Sequence, residues 1–109
     1  MVKTISRQQL KEHIDTGKDL VLVEALPEKY FNEAHLPGAV QIDYTEVNEK
    51  APVLLENKDD MIVVYCASTE CQNSSKGANQ LDSIGYTNVY EYIEGKQDWI
   101  EAGMPVESS

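Results

Sequence analysis

The chain has 109 residues and a mass of 12.2 kDa, the size of one ordinary domain. Hydrophobic residues make up 41% and charged residues 26%, close to a globular average, which argues against wholesale disorder. The 9 Lys and Arg against 19 Asp and Glu leave a net charge of −10, which disfavours nucleic acid and anionic membrane surfaces, because both are bound through cationic side chains.

In chain order, a short strand is expected around Lys3 to Ile5. Ser6 followed by Gln9 reads as a capping box, and Leu10 and Ile14 share one face, so residues 6–16 should form a helix stopped at Gly17. Leu20-Val21-Leu22-Val23 is a continuous apolar run, as expected of a strand buried on both faces. Pro27 opens a helix through about Glu33. Leu36-Pro37-Gly38-Ala39 is a turn, and Val40-Gln41-Ile42 a short strand. One or two short helices are expected near Tyr44–Val47 and Val53–Glu56. Met61-Ile62-Val63-Val64-Tyr65 is the clearest strand and ends at Cys66. A polar loop, Ala67 to Ser74, leads to a helix running to Ile84. Asn88–Tyr92 is a strand, and residues 96–102 form a last helix stopped at Gly103. This alternation of strands and helices predicts an α/β fold with a parallel sheet and helices on both faces. No apolar run reaches the ~18 residues of a membrane span. The segment Met1 to Gln9 lacks the apolar core of a signal peptide, so the expected location is cytoplasmic.

Two cysteines, Cys66 and Cys71, are too few for a disulfide framework or a four-cysteine zinc site. Cys66 ends the most apolar strand and precedes a loop and a helix start. Ligands of parallel sheets bind beyond the carboxyl ends of the strands. A helix N-terminus favours an anion such as a thiolate. Cys66 is therefore a candidate nucleophile. A small buried hydrophobe at a strand end is the other reading of the same position.

Three segments carry a resemblance to the single-domain rhodanese-like sulfurtransferases. The first is Phe31-x3-His35-Leu36-Pro37-Gly38-Ala39. The second is Ile62-Val63-Val64-Tyr65-Cys66. The third is Gly85-Tyr86-Thr87-Asn88-Val89-Tyr90, followed by Glu94-Gly95, Trp99 and Ala102-Gly103-Met104-Pro105-Val106. The resemblance runs from about Ile5 to Glu107 and covers the chain as a single rhodanese-like domain, residues 1–109. It implies a five-stranded parallel sheet flanked by helices. It also implies that Cys66 takes a sulfane sulfur as a persulfide and passes it to a thiol. The backbone amides of Ala67, Ser68, Thr69, Glu70, Cys71, Gln72 and Asn73 would cradle the sulfur. The implied partners are a sulfane-sulfur donor and a small-molecule or protein thiol. No cofactor and no metal is implied.

The sequence departs from the family in four places. Glu24-Ala25-Leu26 stands where the family commonly has Asp-x-Arg. The loop after Cys66 is about two residues longer than in many relatives. It carries Glu70 and no Arg or Lys, and Arg is the side chain suited to planar or tetrahedral oxyanions. Weak use of thiosulfate, a dianion, is the expected consequence, and phosphate transfer is disfavoured by the same argument. Last, Cys71 is a candidate resolving residue, able to displace sulfide from a Cys66 persulfide if the Cα atoms lie within about 4.4–6.8 Å. The alternatives are a thiol redox enzyme or sensor cycling Cys66 and Cys71, and a non-catalytic protein-binding module. His35 is expected to shape a turn, His13 to lie in solvent and Trp99 to anchor the core.

Overall fold

The apolar run ending at Tyr65 becomes the middle strand of a five-stranded, all-parallel sheet. The computed structural model describes residues 2–17 and 19–108. Its strands are β1 (Lys3–Thr4), β2 (Val21–Glu24), β3 (Val40–Gln41), β4 (Ile62–Tyr65) and β5 (Val89–Tyr92), in the spatial order β1-β5-β4-β2-β3. Its helices are α1 (Arg7–Asp15), α2 (Glu28–Glu33), α3 (Val47–Leu54), α4 (Asn73–Ser83) and α5 (Gly95–Glu101). The α/β class and the parallel sheet are those expected from the sequence.

Side chains alternate across a strand, so β4 feeds two cores. Ile62 and Val64 point into one, with Val47 and Ala51 of α3 and Ala78 and Leu81 of α4. Val63 and Tyr65 point into the other, with Leu10 of α1, Leu36 and Trp99 of α5. A parallel sheet covered on both faces explains why β4 carries no charged residue. Trp99 is fully buried, and its indole N–H donates to the Pro105 carbonyl at 2.8 Å. The capping box at α1 is present: Gln9 N donates to Ser6 Oγ and Ser6 N to Gln9 Oε1, both at 3.1 Å.

Three local expectations shift. The helices expected near 44–47 and 53–56 are instead a 3-10 turn, Tyr44–Glu46, leading into the single helix α3, which runs through Pro52. Val47 and Ala51 bury against the sheet, and the Tyr86 hydroxyl donates to the Ala51 and Leu55 carbonyls, holding this end of the helix. Strand β2 includes Glu24, because that carboxylate finds partners inside the fold. Helix α4 begins at Asn73, so Ser74 belongs to its first turn. Among the described residues, no helix is long and apolar enough to cross a membrane.

Candidate active site

Cys66 leaves the carboxyl end of β4 and is 1% exposed. The start of α5 fixes its backbone. Lys96 N donates to the Cys66 carbonyl and Gln97 N to that of Ala67, both at 2.8 Å. The approach requires glycine just before. Gly95 has φ +75°, and a Cβ there would lie 2.6 Å from the Cys66 carbonyl oxygen and 3.0 Å from Ser68 N.

Residues 67–72 curl back so that Cys71 meets Cys66. Their Cα atoms are 6.3 Å apart and the two sulfurs form a disulfide. Cys71 N donates to the Ser68 carbonyl at 3.1 Å, closing the turn that brings it there. Around the Cys66 sulfur lie the Cys71 carbonyl oxygen and Ser74 Oγ, each at 3.4 Å. In this disulfide form no backbone N–H among the described residues donates to that sulfur. Of the cradle residues expected from the sequence, Asn73 is the first residue of α4 and Ala67 is tied to α5 through its carbonyl.

Below the sulfur, Ser74 Oγ donates to Glu91 Oε2 at 2.8 Å, and Ser75 Oγ donates to the same oxygen at 2.7 Å. Glu91 is 8% exposed and projects from β5 toward α4, on the side of Val89. The positive end of α4 further favours a carboxylate there. Sequence reasoning missed Glu91. Its signal was a charged residue two positions after Val89, on the core-facing side of a strand.

The opposite face carries a second buried carboxylate. Glu24 is fully buried and accepts from Lys96 Nζ at 3.1 Å and from the Tyr65 hydroxyl at 2.9 Å. Lys96 Nζ also donates to the carbonyls of Tyr30 and Ala34. Burial pushes the Glu24 carboxyl above its ordinary range, and Lys96 and Tyr65 pull against that shift. Burial and the neighbouring Glu24 charge both raise the Tyr65 hydroxyl, so it remains a donor. Lys96 thus supplies the cation that the missing strand Arg does not, and Leu26 is buried in its place. The sequence signal was indirect: a Glu ending an apolar strand needs a cation from elsewhere in the chain.

His35 lies in an isolated β-bridge just before the turn at residues 37–38. It stacks on Phe31, its Nδ1 is 2.9 Å from the Phe31 carbonyl oxygen, and its backbone bridges to Glu107. Outside the loop, a cavity of about 390 Å³ is lined by Ser68, Thr69, Glu70, Glu94, Gln97 and Glu101 among others, so the surface beside the cysteines is acidic.

With this geometry in view, residues 6–102 match the Rhodanese-like domain family, and the chain belongs to that family. Its relatives include proteins named for sulfur transfer. YrkF of Bacillus subtilis, named for a sulfur-carrier role, is 29% identical over 98 residues, covering 90% of this chain and 51% of YrkF. The chain therefore spans about half the length of that relative. Thiosulfate sulfurtransferase PspE of Escherichia coli is 34% identical over 64 residues, covering 59% of each chain. The crystal structure of BH2092 from Bacillus halodurans superposes with a TM-score of 0.89 at 25% identity, covering 97% of this chain and 77% of that one.

Proposed function

We propose that this protein is a sulfurtransferase that carries a sulfane sulfur as a persulfide on Cys66. The observation that carries the reading is the placement of Cys66: buried at the carboxyl end of β4, at the start of the loop leading to α4. In the first step the Cys66 thiolate attacks the sulfane sulfur of a persulfide or polysulfide donor. The donor's S–S bond breaks and the donor leaves as a thiolate. A thiol acceptor then attacks the terminal sulfur, taking it and restoring the Cys66 thiolate. The site works without a cofactor in this scheme.

The disulfide in the structure favours a second course. The Cys71 thiolate attacks Cys66 Sγ, the bond to the outer sulfur breaks, hydrosulfide leaves, and a Cys66–Cys71 disulfide remains. Two electrons from a dithiol, or from two thiols, return the pair to the reduced form. Run without added sulfur, the same pair is the thiol redox reading.

Intact mass of the reduced protein after brief exposure to polysulfide separates these courses. The expected result is a gain of about 32 Da, one sulfur, that Cys66→Ser abolishes and Cys71→Ser increases. A loss of about 2 Da with no sulfur intermediate in Cys71→Ser assigns the redox course instead. An unchanged mass overturns both and leaves a binding module.

A further inference from the structure

We propose that Glu91, acting through Ser74, is the positioning residue that holds Cys66 as a thiol and turns the site away from anionic sulfur donors. The proposal rests on the reading of Cys66 as the nucleophile and concerns its control.

The argument starts from the direction of the hydrogen bonds. A serine hydroxyl has one proton. Ser74 gives it to Glu91 Oε2, at 2.8 Å. It therefore presents lone pairs to the Cys66 sulfur, 3.4 Å away. The other polar neighbour of that sulfur, the Cys71 carbonyl, is also only an acceptor, again at 3.4 Å. Once the disulfide is reduced, the two groups that flank Sγ favour S–H over S⁻. Beyond Ser74 stands a carboxylate, so a thiolate would form beside a negative charge.

Among the described residues no side-chain cation is turned toward this sulfur to offset it. Lys96 is turned to Glu24, Lys3 lies over the Tyr90 ring and Lys76 over the Tyr44 ring. Among the described residues no side-chain cation bonds to Glu91. Glu70 and Glu94 line the cavity outside the loop. Arg7 pairs with Asp98, which also accepts from the Tyr92 hydroxyl. Helix α4 is the remaining source of positive potential, and two hydroxyls of its first turn already serve Glu91. A dianionic donor such as thiosulfate meets a site whose anion position is filled from within. A neutral or singly charged sulfane donor still reacts with the smaller thiolate fraction, whose intrinsic nucleophilicity rises with the thiol pKa.

The test uses Cys71→Ser, which leaves Cys66 as the chain's single cysteine. In that background the pH profile of Cys66 alkylation by iodoacetamide is measured for three forms: with Glu91 kept, with Glu91→Gln, and with the charge-keeping Glu91→Asp. A charge separated from Sγ by one hydroxyl is expected to shift the inflection by about one pH unit. Glu91→Gln should therefore lower it by about that amount and speed alkylation about threefold at a pH of about 6.5, the roughly tenfold gain in thiolate being partly offset by its lower nucleophilicity. Glu91→Asp should return the profile toward that of the parent, which a purely structural role would not do. Ser74→Ala removes the bridging acceptor and should shift the profile the same way by a few-fold, which keeps the test open if Glu91→Gln does not fold. Thiosulfate should also load more sulfur onto Glu91→Gln than onto the parent. An unchanged inflection overturns the proposal. An inflection that rises in Glu91→Gln overturns it too, and makes Glu91 the acceptor of the thiol proton. A shifted inflection with no persulfide from any donor keeps the role of Glu91 and discards sulfur transfer.

Discussion

Two buried glutamates flank the central strand, on opposite faces of the sheet, and the chain satisfies them differently. Glu24, on β2, is met by an ammonium and a phenol. Glu91, on β5, is met by two hydroxyls and the end of a helix. A full counter-charge locks a carboxylate in place and ties distant segments together. Hydroxyls satisfy the oxygen yet leave its charge uncompensated, so that charge acts on whatever lies next to it. Beside Glu24 that neighbour is a tyrosine whose hydroxyl gives its proton to the carboxylate and accepts from Leu36 N. Beside Glu91 it is Cys66, by way of Ser74. The chain thus keeps the Glu24–Lys96 ion pair for architecture and sets beside Cys66 a carboxylate that, among the described residues, no side-chain cation meets.

Lys96→Met breaks the paired glutamate and should have the largest effect. It strands a fully buried carboxylate and two carbonyls, a loss of about 3–5 kcal/mol in urea unfolding at neutral pH. Glu24→Gln combined with Lys96→Met should recover a large part of it, because no charge is then left alone. The loss in Lys96→Met should shrink on acidification. The Glu24 carboxyl is raised in the folded state, so the native protein holds its proton more tightly than the unfolded chain. Its contribution is then most favourable below the unfolded carboxylate range and declines as pH rises through the folded value. Removing Lys96 raises that value further and widens this window.

Gly95→Ala strikes both regions at once, since the residue after it carries the Glu24 cation on its side chain and the Cys66 contact on its backbone. The left-handed φ and a Cβ 2.6 Å from a carbonyl oxygen should together destabilise by about 2–4 kcal/mol. Alkylation of the reduced cysteine should speed up as the loop loosens. Ser75→Ala is the mildest probe. It removes one of two hydroxyls from Glu91 at a cost of about 1 kcal/mol, and the thermal midpoint should fall by a few degrees.

Much of the fold was legible because it depends on local pattern. The run Met61–Tyr65 could only be a strand buried on both sides, and Ser6 with Gln9 marked the start of α1. The position of Cys66 followed from the same logic. What was not legible is what depends on partners far along the chain. Glu24 and Lys96 are 72 residues apart, and no local rule joins them. The polar stretch of residues 43–60 suggested one or two short helices but not that a 3-10 turn runs straight into α3, whose end Tyr86 holds from over thirty residues away. The direction of the Ser74 hydroxyl, on which the proposed character of Cys66 turns, is set by an alternation in β5 that reads as an ordinary strand until α4 is laid across it.

The backbone clamp at α5 has a bearing on engineering. Residues 68–72 run between two fixed posts, the Cys66–Ala67 carbonyls held by α5 and the first turn of α4 held by Glu91. A segment pinned at both ends accepts changes of length at small entropic cost, because closure entropy grows only logarithmically with loop size. The volume enclosed over the sulfur is then separable from the stability of the sheet below. That makes the loop a cassette: shortened or extended versions could be grafted between the same posts to set the space left over Cys66.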